Sequence, residues 1–164
     1  MLTMEEDESI ELEHILDIEL VAALPRGHPL AGRDAISMGE LSDDRLILFS
    51  RGFHPRCYDY VVGCCREAGF GPKVVQRKEP QLYSGATTYR MVDSGIEVGI
   101  VARPVVSGYR HYDVIFKPLR DPAPALELVA AWRREDVAPN LQAFMEVVRE
   151  LAPTTQDGRS ALEA

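Results

Sequence analysis

The sequence is poor in the features that usually announce chemistry. It has three cysteines, Cys57, Cys64 and Cys65, an odd number with two of them adjacent. No C-x-x-C pair occurs, and no Cys/His spacing suits zinc, so a metal site is not expected. This usage fits reduced, mostly buried thiols in a reducing compartment. Lys and Arg number 18 against 26 Asp and Glu, for a net charge of −8. No Lys/Arg-rich segment is present, and an acidic surface does not grip phosphates, which argues against a DNA-binding face on this chain. No apolar stretch approaches the length of a membrane span. The start, "MLTMEEDESIELEH", has neither the basic nor the apolar region of a signal peptide, so the expected location is the cytoplasm. P-loop, G-x-G-x-x-G and G-x-S-x-G patterns are all missing, and no cofactor is expected.

Catalytic candidates are equally thin. His14, His28, His54 and His111 are scattered, with no i, i+4 pair for a metal. His28 stands in "LPRGHPLA" beside Pro29 and reads as a turn residue. Cys57, near the start of a predicted helix, could be drawn as a thiolate nucleophile with a histidine base. No local signature surrounds it, and a structural thiol is the better reading. The expectation is a protein that is not an enzyme.

What is present is an alternation of strands and helices. Residues 1–14 form an acidic segment, expected to be solvated and disordered. Ile18–Leu24 reads as a buried strand ended by Pro25 and Gly27, and "RLILFS" (45–50) as a second. Tyr58, Val61, Val62, Cys65 and Ala68 recur at helical spacing, with Pro55 in the first turn and Gly69 as the stop. "PKVVQRK" reads as a strand; Leu82, Ala86, Tyr89 and Val92 give a helix closed by Gly95. "IEVGIVA", "DVIFKPL" and "ALELVAAWR" read as strands, and Leu141 to Leu151 as a third amphipathic helix. Residues 153–164 read as a flexible tail. The pattern predicts an α/β fold with a largely parallel sheet, in which ligands sit beyond the carboxyl ends of strands. Two loops qualify, Ser50–Arg56 and the one running into the Leu82 helix. Both lead into helix N-termini, which favour an anion.

The segments "ELVAALPRGHPLA", "LSDDRLILFS", "CCREAGFGPKVV", "MVDSGIEVGIVARPV" and "YDVIFKPLRD", in this order, resemble the effector-binding domain of LysR-type transcriptional regulators. The resemblance runs from about Ile15 to Leu151. It implies a type 2 periplasmic-binding-protein-like α/β fold, with one complete lobe and part of a second. The effector-binding domain would span 15–152, the complete lobe about 24–124, and the partial lobe 15–23 with 125–152. Gly27-His28-Pro29 resembles the turn by which the chain passes from one lobe to the other. The implied function is sensing a small, often anionic metabolite in the cleft between lobes. Ser50, Arg51, Cys57 and Tyr58 correspond to the family's cleft-lining loop, with Arg51 able to form a bidentate pair with a carboxylate.

The sequence departs from the family in lacking its helix-turn-helix, its linker helix and the first half of lobe one. DNA would therefore be engaged only through a helix-turn-helix domain not present in this chain. Glu97 stands where a second glycine is expected, and Ala102 where a proline is expected. The alternative reading is a stand-alone ligand-binding or interaction module that associates with full-length regulators. Either way, a homo-oligomer or an association with related regulators is expected, because an uncovered apolar sheet edge invites pairing.

Overall fold

The computed structural model describes residues 9–75, 85–103, 112–135 and 138–152. Expectations for residues 1–8, for the "QRK" end of the fourth segment, for Leu82 and its loop, for His111 and for the tail at 153–164 lie outside the described residues. The chain divides into two compact units. The smaller comprises Met1–Ile18 and Leu126–Ala164, the larger Glu19–Ala125.

Strand β1 (Ile10–Pro25) belongs to both units. In the larger one its residues Leu20–Pro25 are all buried, an unbroken run suited to a strand covered on both faces. They pair antiparallel with β5 (Val98–Ala102) on one side, Leu20 opposite Ala102 and Ala23 opposite Gly99. On the other side they pair antiparallel with β6 (Val114–Arg120), Val21 opposite Pro118 and Pro25 opposite Val114. β2 (Ile36–Ser37) runs parallel to β6, β3 (Arg45–Ile47) parallel to β5, and β4 (Lys73–Val74) parallel to β3. The order is β2-β6-β1-β5-β3-β4. Of the larger unit's six strands five run in one sense, as a largely parallel sheet implies, and β1 alone runs against them, which makes the sheet mixed. Apolar runs reveal a strand but not its direction, and β1 enters from the end toward which its two neighbours run.

Helix α1 (Pro55–Glu67) starts with proline in its first turn and buries Val61, Cys64 and Cys65 at i, i+3 and i+4. Gly69 closes it at φ +90°, a conformation that costs a side chain about 1–2 kcal/mol. Helix α2 (Gly85–Asp93) packs on β5 and β6, and Gly95 ends it at φ +83°. Tyr89 and Val92 of α2 pack on Ala23 and Ile47. Gly99 suits this close packing: a Cβ there would lie 3.3 Å from Thr88 Cγ2 and 3.4 Å from Ala23 Cβ, a tight contact. A segment that the sequence reading passed over supplies more core. β2 leads into a 3-10 turn, Met38–Leu41, and Ile36, Met38 and Leu41 are fully buried. With only one strong alternation and no helix-length period, "AISMGEL" gives no pattern to read.

The turn after β1 is a hydrogen-bonded structure. The His28 N–H donates to the Pro25 carbonyl at 3.0 Å. Leu30 N–H donates to His28 Nδ1 at 3.2 Å, so Nδ1 is the acceptor and Nε2 carries the proton toward Asp44, 3.1 Å away. The turn lies inside the larger unit. The passage between units occurs earlier, within β1 at Ile18–Glu19, because the strand continues through it.

In the smaller unit, the first half of β1 pairs with β7 (Ala125–Arg133) and is joined by α3 (Pro139–Leu151). β1 begins at Ile10, so residues 10–14 are ordered where an acidic, solvated segment was expected. Their charge is answered by cations distant in sequence. Glu11 pairs with Arg134 at 3.2 Å, and Glu13 receives two hydrogen bonds of 2.6 Å from the Arg149 guanidinium of α3. The sequence offers no sign of either pairing.

Ile36→Ala should lower stability by about 2–5 kcal/mol, the cost of emptying a buried isoleucine site, measurable by urea unfolding. Arg149 donating to Glu13 holds that carboxyl below its ordinary value of 4.5. A lowered native value means the contribution is full above about 4.5 and disappears as pH falls through the native value. The melting-temperature difference between the wild type and Glu13→Gln should therefore be constant near neutrality and shrink below pH 4.5. A difference that grows on acidification contradicts the pairing.

Candidate functional site

Five strands of the larger unit run in one sense, β2, β3, β4, β5 and β6, and present their carboxyl ends at one edge of its sheet. The chain leaves β3 through the buried Leu48 and emerges at Phe49 and Ser50. The Ser50 carbonyl then accepts hydrogen bonds from the N–H groups of Phe53 (3.1 Å) and His54 (2.8 Å), closing a tight turn into α1. The Phe49 ring meets His54 edge-on at 6.4 Å between centroids.

Helix α1 begins without a side-chain cap and without an acidic residue in its first turn. Its first helical bond runs from Tyr58 N–H to the His54 carbonyl at 3.0 Å. The positive end of its dipole is therefore uncompensated by its own first turn. Arg51 lies beside this end. Its guanidinium contacts Asp59 through two hydrogen bonds, 3.0 and 3.3 Å, and sits over the Tyr58 ring, 5.9 Å from the centroid. Asp59 pushes the Arg51 pKa further up. Of the four residues expected to bind effector, the structure thus brings Arg51 and Tyr58 into contact, while Ser50 shapes the turn with its main chain.

Cys57 is half-buried, and burial pushes its thiol above the ordinary value, so it is a neutral thiol near pH 7. Burial pushes Cys65 up to about 11. Neither is the depressed thiol that a cysteine nucleophile requires. No group of His, Cys, Asp and Glu suited to a metal occurs among the described residues. No helix among them is long and apolar enough to cross a membrane.

Sequence reasoning missed one pair at the same edge. Arg103 follows β5 directly, and its Nε lies 2.7 Å from a carboxylate oxygen of Glu19 on β1. The available signal was positional: an arginine immediately after an apolar strand, at the end where ligands gather. The two departures from the family pattern also find places. Glu97 is 8% exposed and pairs with Arg45 at 3.4 Å, tying β5's approach to β3. Ala102 is a paired residue of β5, opposite Leu20.

Comparison with known proteins gives a consistent answer. The LysR substrate binding domain family matches residues 1–153. The transcriptional regulator BudR of Raoultella terrigena is 30% identical over 146 residues, covering 89% of this chain and 49% of BudR. The chain therefore spans about half the length of that relative. HinK, a LysR family transcriptional regulator from Pseudomonas aeruginosa, superposes with a TM-score of 0.76 at 22% identity, covering 93% of this chain and 52% of HinK. The effector-binding domain of QuiR, solved in complex with shikimate, gives a TM-score of 0.71 at 22% identity, covering 92% of this chain and 68% of that domain. The mixed α/β architecture, with β1 crossing between two units, is accordingly the periplasmic-binding-protein-like fold of LysR regulatory domains. The chain belongs to the LysR substrate-binding domain family.

Proposed function

We propose that this chain is the effector-sensing part of a LysR-type transcriptional regulator. It binds a small anionic metabolite around Ser50, Arg51, Cys57 and Tyr58, and the binding alters how a helix-turn-helix domain not present in these 164 residues engages its operator. The observation that carries the reading is the start of α1, uncapped by any side chain, free of acid in its first turn, and flanked by a cation. A helix start with open N–H groups and a neighbouring guanidinium is suited to a carboxylate. The shikimate held by QuiR is one, and BudR is named as a transcriptional regulator, which supports the same role here.

In this reading Ser50 offers a hydroxyl and Cys57 an uncharged thiol, while Tyr58 holds Arg51 from below. Asp59 competes with the effector for the Arg51 fork, so binding exchanges one carboxylate for another. The regulatory step is a shift of population toward the state that binds effector better. The chain acts without chemistry, and its localisation is the cytoplasm, where the family's target DNA lies.

A second reading, self-association or pairing with related regulators, is favoured by one feature of the smaller unit. Phe144, Val147 and Leu151 form an exposed stripe on α3, and Leu128 and Val129 are exposed on β7. Apolar surface grouped in this way marks association sites.

Shikimate at millimolar concentration should raise the melting temperature by mass action, and Arg51→Ala should reduce that shift. An undiminished shift in the variant removes Arg51 from the site. For association, light scattering should give a dimer or larger species, and a stable monomer at all concentrations contradicts it.

A further inference from the structure

The sheet places a second cation at the same carboxyl edge as the proposed site. β3 and β5 are parallel, with Leu46 opposite Val98 and Ile47 opposite Gly99. Beyond this pairing the chain leaves β3 toward Ser50 and Arg51 at the same end of the sheet at which β5 leads into Arg103. Across β5, Leu20 of β1 is opposite Ala102, which sets Glu19 beside Arg103. All of these residues belong to the larger unit.

Arg51 and Arg103 differ in a way that decides between them. Both arms of the Arg51 fork are taken by Asp59, and its side chain is 67% exposed. Arg103 is 30% exposed, and among the described residues its only charged partner is Glu19. That partnership is imperfect. Glu19 Oε2 lies 2.7 Å from Nε, yet the Nε–H is buried without an aligned hydrogen-bond acceptor. A buried donor left in this state loses its hydration without recovering a full bond.

Resting on the reading above, that the carboxyl edge binds an anionic effector, we propose that Arg103 is the principal anchor for the effector's carboxylate. Glu19 is its built-in competitor, a carboxylate of the chain that holds the guanidinium until an aligned carboxylate replaces it. A planar carboxylate can meet the fork side-on with two parallel N–H···O bonds, which the single Glu19 contact does not provide. Glu19 is also the first residue of the larger unit on the strand that continues into the smaller one. Exchange of Glu19 for effector at Arg103 is therefore an event on β1 itself. The ligand class is a small mono- or dicarboxylate, and Arg103 acts as an affinity-determining residue without catalytic role.

The test is isothermal titration of the whole chain with shikimate and, separately, with succinate, at matched ionic strength. Glu19→Gln should tighten the better-bound carboxylate about two- to fivefold, the range for releasing a partly exposed ion pair. Arg103→Ala should weaken it about tenfold or more, as loss of a hydrogen bond to a charged group does. Arg103→Lys, which keeps the charge but not the fork, should fall between, and unchanged melting curves should show that all three variants fold. Wild-type affinity in Arg103→Ala, with binding lost in Arg51→Ala, overturns this inference and leaves the proposed function standing. Equal affinity in Glu19→Gln and the wild type overturns the competitor role. Failure of both carboxylates to bind at millimolar concentration contradicts the proposed function and this inference together.

Discussion

The larger unit depends on the burial of Leu20–Pro25 between β5 and β6. Six consecutive residues of β1 are sealed there, and the large apolar ones among them contribute about 1.5–3 kcal/mol each by leaving water. Their pairing fixes the register of both neighbours, and through β5 that of β3. The register in turn decides which residues stand together beyond the carboxyl ends. A shift of one position would exchange buried Leu20 for Glu19 at the rim, so the apolar pattern protects the site's geometry. Gly99 belongs to the same constraint, since a Cβ there would press on Thr88, Ala23 and Val92 at 3.3–3.4 Å and its neighbours would have to give way.

Charge at this edge is paired within the chain. The cations there are held by carboxylates: Arg51 by Asp59, Arg103 by Glu19, and Arg120 at the end of β6 lies 3.7 Å from Asp121. In the proposed function these are the pairs that an incoming anion would replace. The thiol nearest the helix start is kept protonated by burial, and no histidine pairs with it among the described residues.

Much of the fold was legible in the sequence. Helix α1, its proline start and its glycine stop follow from spacing and turn chemistry, and β7 was found to the residue, because long periodic segments carry their own evidence. The order of five short segments carried the family. Strand direction was not legible, nor was the 16-residue length of β1, since Glu11 and Glu13 are accommodated by arginines more than a hundred residues away. The 3-10 turn carrying Met38 and Leu41 was too short to show a period. At the site, Ser50 to Tyr58 were within reach because they are contiguous in the chain. Arg103 and Glu19 were not, because only the antiparallel pairing of β1 with β5 brings positions 19 and 103 together.

In the proposed function, effector acts at the carboxyl edge of the β1-centred sheet. Hydrogen exchange read by mass spectrometry, with and without a bound carboxylate, tests it most directly. The account predicts that Val21–Leu24 exchange slowly in both states, and that the carboxylate slows exchange in two separate segments, 48–58 and 98–103. Slowing confined to the opposite edge of the sheet, around Pro25–Leu30 and Val114, would contradict it.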